Sequence, residues 1–173
     1  MRNYILCMTF ALFVSLFFSF GIKQDMDATE IFMDINYKGI KLLYDKPQGH
    51  IIKRMKHDLE GEDFVTFIII DRNDSMFHVK AYYSIKGFIS KGWIKKDKYL
   101  GIYSRAYDQN LKVYQNPNKT SQIICQEGYN PKMYNVIDSY GRWLKIRVIT
   151  KGKVFEGWIP PEMQCANVYS TCS

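Results

Sequence analysis

The residues of this 173-residue chain that could do covalent chemistry are kept apart in sequence. Cys125, Cys165 and Cys172 lie in the last third, whereas His50, His57 and His78 lie in the first half. A cysteine nucleophile needs a thiolate beside a histidine that a third group orients. Only a site built across both parts of the chain could supply that. The strained nucleophile turn G-x-S-x-G is absent, as are H-E-x-x-H, the P-loop and G-x-G-x-x-G. Glu60, Glu62 and Asp63 surround Gly61 in a loop-like segment. A general acid needs a pKa raised by burial, and loop carboxylates stay solvated. The cysteines and histidines also lack the tight spacing of a metal site. The expectation is a protein without catalytic residues, metal or cofactor. A hydrolase acting through Cys125 or a loop carboxylate is the catalytic alternative.

Binding chemistry is better represented. Trp143, Lys145 and Arg147 alternate with Leu144, Ile146 and Val148. Period two puts these sets on opposite faces of a strand. A Trp set between cations on a wet face can stack on a ligand and pair its carboxylates; the alternative is that Trp143 packs against another part of the protein. Lys53-Arg54-Met55-Lys56-His57 and the lysines at 91, 95, 96 and 98 form basic stretches within a chain of net charge +7. Positive charge attracts polyanions. Acidic wall polymer, an anionic membrane surface or an acidic protein fit an exported protein, and nucleic acid does not. A solvated face that keeps the protein soluble explains the same charge.

Strands must carry these residues. Apolar residues make up 47% and aromatics 16%, the latter high and favouring β-structure. Phe64-Val65-Thr66-Phe67-Ile68-Ile69-Ile70 is an apolar run, Asp71-Arg72-Asn73-Asp74 a turn, and Phe77, Val79 and Ala81 then alternate with His78 and Lys80. Tyr134-Asn135-Val136-Ile137 leads likewise through Asp138-Ser139-Tyr140-Gly141 to the Trp143 strand. After residue 22 no stretch sustains a 3.6-residue apolar period. Helix is expected only as single turns near 95–99 and 160–163.

The chain repeats itself. Leu43-Tyr44-Asp45-Lys46-Pro47 recurs as Val113-Tyr114-Gln115-Asn116-Pro117, Ile70-Asp71 as Ile137-Asp138, Gly92-Trp93-Ile94 as Gly157-Trp158-Ile159, and Tyr103-Ser104 as Tyr169-Ser170. The matches keep their order. They divide the chain into an acidic lead-in over 22–35, a first unit over 36–106 and a second unit with a C-terminal tail over 107–173. With no Pro/Ser linker at 105–110, the units should touch.

The start has the layout of a secretory signal: Arg2, then an apolar run from Tyr4 to Phe20, then the small residues Ser19 and Gly21 two apart. Residues 1–21 are expected to be cleaved on export to the periplasm or beyond, an uncleaved anchor being the alternative. Without them no membrane span is expected. Export permits disulfides. Cys165 and Cys172 enclose a short polar segment and are expected to pair, leaving Cys125 as a buried thiol.

A strand of alternating charge, a hairpin, then Gly-Trp-Ile and a single helical turn resembles the bacterial SH3 (SH3b) domain. The second copy matches best, from Arg142-Trp143-Leu144-Lys145-Ile146-Arg147-Val148 to Glu156-Gly157-Trp158-Ile159-Pro160-Pro161. The first copy has Met76 where the second has Trp143, and Lys95 where it has Pro160. The resemblance covers about residues 36–173. It implies an all-β protein of two tandem SH3-like barrels, a monomer that binds peptidoglycan peptide or glycopeptide, or a protein segment, without catalysis. It places Trp93, Trp158 and Pro160 along a peptide groove and Tyr44 and Tyr114 near it; the alternative is that both Trp residues close the barrel ends. The first copy's lack of Trp and Pro points to the second copy as the binder. An exported inhibitor or immunity-type protein, blocking a partner with one barrel face, is the alternative function.

Overall fold

The computed structural model describes residues 29–170 and Cys172. Among them the chain forms thirteen strands, and its only helical segment is the 3-10 turn Pro161–Met163. The strands are β1 (Thr29–Met33), β2 (Lys41–Tyr44), β3 (Ile51–Met55), β4 (Val65–Arg72), β5 (Met76–Tyr83), β6 (Gly87–Lys95), β7 (Leu100–Ser104), β8 (Leu111–Tyr114), β9 (Ile123–Glu127), β10 (Tyr134–Tyr140), β11 (Trp143–Thr150), β12 (Lys153–Ile159) and β13 (Gln164–Cys165). Alternation decides what they bury. Val65, Phe67 and Ile69 on β4, Phe77, Val79 and Ala81 on β5, and Leu144, Ile146 and Val148 on β11 all enter the core. Each of these Val, Ile, Leu and Phe side chains contributes roughly 1.5–3 kcal/mol by leaving water, Ala81 less.

The acidic lead-in holds a strand that charge counting hid. Ile31, Phe32 and Met33 of β1 are fully buried, and β1 pairs with β4 on one side and β7 on the other. Three apolar residues in a row suit a strand covered on both faces, and Glu30 is the one exposed residue of the five. The 95–99 segment ends β6 at Lys95 and then turns without forming a helical turn. Asp97 Oδ1 accepts the Tyr99 N–H (3.0 Å), and the buried Lys41 ammonium holds both the Lys95 carbonyl (2.9 Å) and Asp97 (2.5 Å). Side-chain capture of this kind competes with helical pairing.

All pairings are antiparallel and they repeat. β4-β5-β6 and β10-β11-β12 are meanders. β2 pairs β6 and β3 as β8 pairs β12 and β9. Bulges fall at corresponding places, between Ile69 and Asp71 and between Val136 and Asp138. They lie over the Ile-Asp dipeptides that repeat in the sequence. The Tyr103/Tyr169 match does not extend to structure: Tyr103 lies in β7, paired with Cys165, and Tyr169 lies in a bend beyond β13.

β7 serves both rounds. It closes the first by pairing β1, opens the second by pairing β10, and also takes β13. Gly101 faces Phe32 on one side and Asn135 on the other. The result is one open antiparallel sheet with β3 and β9 at its edges, not a pair of separately closed barrels, because the shared strand leaves no break between the two rounds. Side chains reinforce the junction: Arg72 Nε and Lys96 Nζ both reach Asp138 Oδ1, at 2.8 and 2.9 Å.

Cys165 and Cys172 are disulfide-bonded, and Cys125 is a free, buried thiol. From the disulfide loop Tyr169 reaches back to the first round. Its hydroxyl donates to the Glu62 carbonyl (2.5 Å), and its ring meets Phe64 edge-on. No helix of the described residues is long and apolar enough to cross a membrane. The expected signal at 1–21 lies outside the described residues.

Candidate functional site

The repeated Gly-Trp motif has a steric origin. A Cβ on Gly92 would stand 2.5 Å from the Tyr44 carbonyl oxygen, and one on Gly157 would stand 2.6 Å from that of Tyr114. Only glycine lets β2 lie across β6, and β8 across β12, at this distance. The next residue then points to the opposite face. Trp93 is the cross-strand partner of Tyr44, and Trp158 of Tyr114. Each pair continues across the sheet. The first row runs Tyr44, Trp93, His78, Asp71, and the second Tyr114, Trp158, Lys145, Asp138.

The rows are used differently. His78 stacks flat on Trp93, with ring centres 4.7 Å apart. Burial, seconded by Lys91, lowers the pKa of that imidazole against the pull of Asp71. Tyr44 carries the Lys95 ammonium over its ring at 5.9 Å. In the second row Trp158 meets Tyr140 edge-on at 6.5 Å, and Trp143 stands edge-on to a buried Tyr114 at 5.7 Å. Trp143 is half-buried, and Pro160 is buried at the start of the 3-10 turn. Arg147 is engaged by its cross-strand neighbour Glu156, whose Oε1 accepts from Nε (2.9 Å) and from a terminal guanidinium nitrogen (2.6 Å). Trp143, Trp158 and Tyr114 thus come together around the start of β11, Tyr44 and Trp93 form the counterpart in the first round, and Arg147 is committed to a surface ion pair.

The open space lies beside Tyr44. A groove of about 600 Å³ is lined by Tyr44, Gln48, Gly49, Ser75, Met76, Lys95 and Lys96. A smaller hollow of about 180 Å³ continues past Tyr44 and Lys95 to Ile40 and Leu42, floored by the Lys41–Asp97 pair. Met76 and Lys95 are the two departures of the first copy noted in the motif, standing where the second copy has Trp143 and Pro160. At the Met76 position the second copy places the Trp143 indole against Tyr114. Those departures are the ground for expecting the binder in the second copy, whereas the open groove lies in the first. Lys95 is exposed and has no carboxylate partner among the described residues, so its ammonium is available to an anionic group.

Catalytic geometry does not assemble. Of the loop carboxylates, Asp63 is buried rather than solvated, and its Oδ1 accepts from the Ser84 hydroxyl (3.2 Å) and the Ile85 N–H (2.7 Å). No group of three or more His, Cys, Asp or Glu residues among those described could hold a metal. Burial pushes the Cys125 thiol up, Glu127 adding to the effect. His57 is locked between backbone groups: Val65 N–H donates to Nδ1 and Nε2 contacts the Asp34 carbonyl, each at 3.0 Å.

No protein-family model and no curated protein matches this chain. Among solved structures it is similar to one described as the structure of NlpC1 from Trichomonas vaginalis, with 14% identity and a TM-score of 0.34. The likeness covers 79% of this chain and 45% of that one, so the chain spans under half of that protein's length.

Proposed function

We propose that this is an exported, non-catalytic binding protein of two SH3-like units, which takes an extended cell-wall peptide or protein segment in the groove beside Tyr44. The carrying observation is that groove: an aromatic wall, a Met76 floor and a free Lys95 ammonium, held on strands whose crossing Gly92 permits. Aromatic faces and a lone cation suit a peptide bearing a carboxylate. The repeated strand pairing and the duplicated Tyr–Trp row support the two-unit reading. The disulfide supports export, since such bonds persist in oxidising compartments.

The test is co-sedimentation of the purified protein with insoluble peptidoglycan at low salt and at about 0.15 M salt, where exposed charges beyond roughly 8 Å are screened. Tyr44→Ala and Trp143→Ala run in parallel. Retention that survives salt and falls with Tyr44→Ala supports the groove. A loss with Trp143→Ala alone would move the site to the second unit. Retention that vanishes with salt and ignores both variants refutes wall-peptide recognition. With no retention at all, the remaining reading is a protein partner blocked by one sheet face.

A further inference from the structure

The Tyr44 groove has a neighbouring hollow at the junction of the two units. Lys96 lines the groove and also lines this cleft of about 480 Å³, whose other walls include Arg72, Asn73, Asp138 and Lys145. The β4–β5 turn separates the two hollows and is closed by hydrogen bonds. Asn73 Oδ1 accepts the N–H groups of Ser75 (3.0 Å) and Met76 (2.8 Å), and Asn73 N–H donates to the Met76 carbonyl (3.0 Å). Ser75 faces the groove and Asn73 the cleft. With the hollow beyond Tyr44, three spaces adjoin in series from Ile40 to Lys145.

Charge along this lane is uneven. Asp138 Oδ1 already takes both Arg72 Nε and Lys96 Nζ. Two cations of the first unit therefore neutralise the carboxylate nearest Lys145 in the row. Lys145 is half-buried and has no ion-pair partner among the described residues. The lane thus has an unpaired ammonium at each of two places, Lys95 in the groove and Lys145 in the cleft.

Resting on the groove reading above, we infer that one extended ligand spans both units and that Lys145 of the second unit binds a second carboxylate of that ligand. The ligand class is an extended peptide with two carboxylates, one beside Tyr44 and one across the junction. Arg72 and Lys96 act by holding Asp138 away from Lys145, which leaves that ammonium free for the ligand.

The experiment is calorimetric titration of the full chain with a soluble disaccharide-peptide fragment of peptidoglycan, free-acid and carboxylate-amidated. Lys145→Gln should weaken the free-acid fragment by about fivefold, the scale of a partly exposed ion pair, and leave the amidated fragment unchanged. Lys151→Gln, at the β11–β12 turn, should change neither. Tyr44→Ala should weaken both. If Tyr44→Ala weakens binding and Lys145→Gln does not, the spanning inference falls and the groove reading stands. If Lys145→Gln weakens both fragments equally, its role is structural and the inference falls. If the unaltered protein binds neither fragment, recognition of wall peptide fails and the spanning inference, which rests on it, falls with it.

Discussion

His57 gives the sharpest physical prediction. Its ring is 4% exposed, and it ties the end of β1 to the start of β4. Nδ1 accepts the Val65 N–H at 3.0 Å, so that nitrogen carries no proton. Nε2 then bears the hydrogen and donates to the Asp34 carbonyl at 3.0 Å. Protonation would place a hydrogen on Nδ1 facing the Val65 N–H. One buried hydrogen bond would be lost and a charge confined beside Phe64, whose ring meets the imidazole edge-on. Burial accordingly holds the His57 pKa below its ordinary value of 6.5, against the opposing pull of Asp34. Leaving a buried donor without its acceptor costs about 1–3 kcal/mol.

The sign follows from proton counting. Between the folded and unfolded pKa values the unfolded chain binds more protons, so stability rises with pH there. The contribution is complete above pH 6.5 and is lost as pH falls towards the folded pKa. Urea unfolding should show His57 lowering stability at pH 5 relative to pH 7.5 by up to about 2 kcal/mol, the linkage ceiling for one group about 1.5 pH units below its unfolded pKa of 6.5, and the His57→Gln variant should lose that part of the slope despite being less stable throughout. His78, also lowered, contributes in the same direction, so His78→Gln serves as the second arm. Proton NMR of the three histidine rings reads each titration separately. A His57 ring that titrates at or above 6.5, or a His57→Gln variant with an unchanged slope, would refute the argument.

Gly157→Ala should cost about 1–3 kcal/mol or abolish folding, because its methyl would meet the Tyr114 carbonyl, a backbone atom that cannot swing aside; urea unfolding measures it. Gly152→Ala, also a glycine but with open space around it and φ +72°, should cost less. Cys125 should resist a thiol reagent at pH 7.5 until urea unfolds the chain, since burial raises its pKa; fast labelling of folded protein would reopen the hydrolase alternative. Cys172→Ser should lower stability by about 2–3 kcal/mol and free Tyr169 from Glu62, read as faster amide exchange across residues 58–64.

The sequence made some of this site legible because duplication acts as an internal control. Tyr44 with Trp93, and Tyr114 with Trp158, stood out as repeated pairs of residue types, and they are cross-strand partners. Alternation marked the buried sets of β5 and β11 for the same local reason, while β4 was legible as an apolar run whose buried half only the structure picks out. What stayed hidden depends on register between distant strands. Glu156 meets Arg147 only because β11 and β12 pair with that offset. His78 reaches Trp93 only through the β5–β6 register. The role of β7 could not be read locally, since a strand bonded on both sides looks like any short apolar run. β1 was masked by its acidic flanks, although Ile31-Phe32-Met33 was the signal that mattered.

The two copies keep what the fold requires and diverge where a ligand would sit. Both retain the glycine under the crossing strand, the Tyr–Trp pair and the bulge before the aspartate, because each follows from packing. The rim positions are free of that constraint. Met76 and Lys95 leave a groove open in the first copy, whereas Trp143 meets Tyr114 and Pro160 is buried in the second. The third row position diverges in the complementary sense. In the first copy it is His78, stacked flat on Trp93 and held towards its neutral form, so it offers no free cation. In the second it is Lys145, whose side chain lines the junction cleft that Lys96 connects to the groove. The first copy supplies the opening and one free ammonium, Lys95, and the second adds another, Lys145, an arrangement that favours one site shared by two units over two independent sites of equal rank.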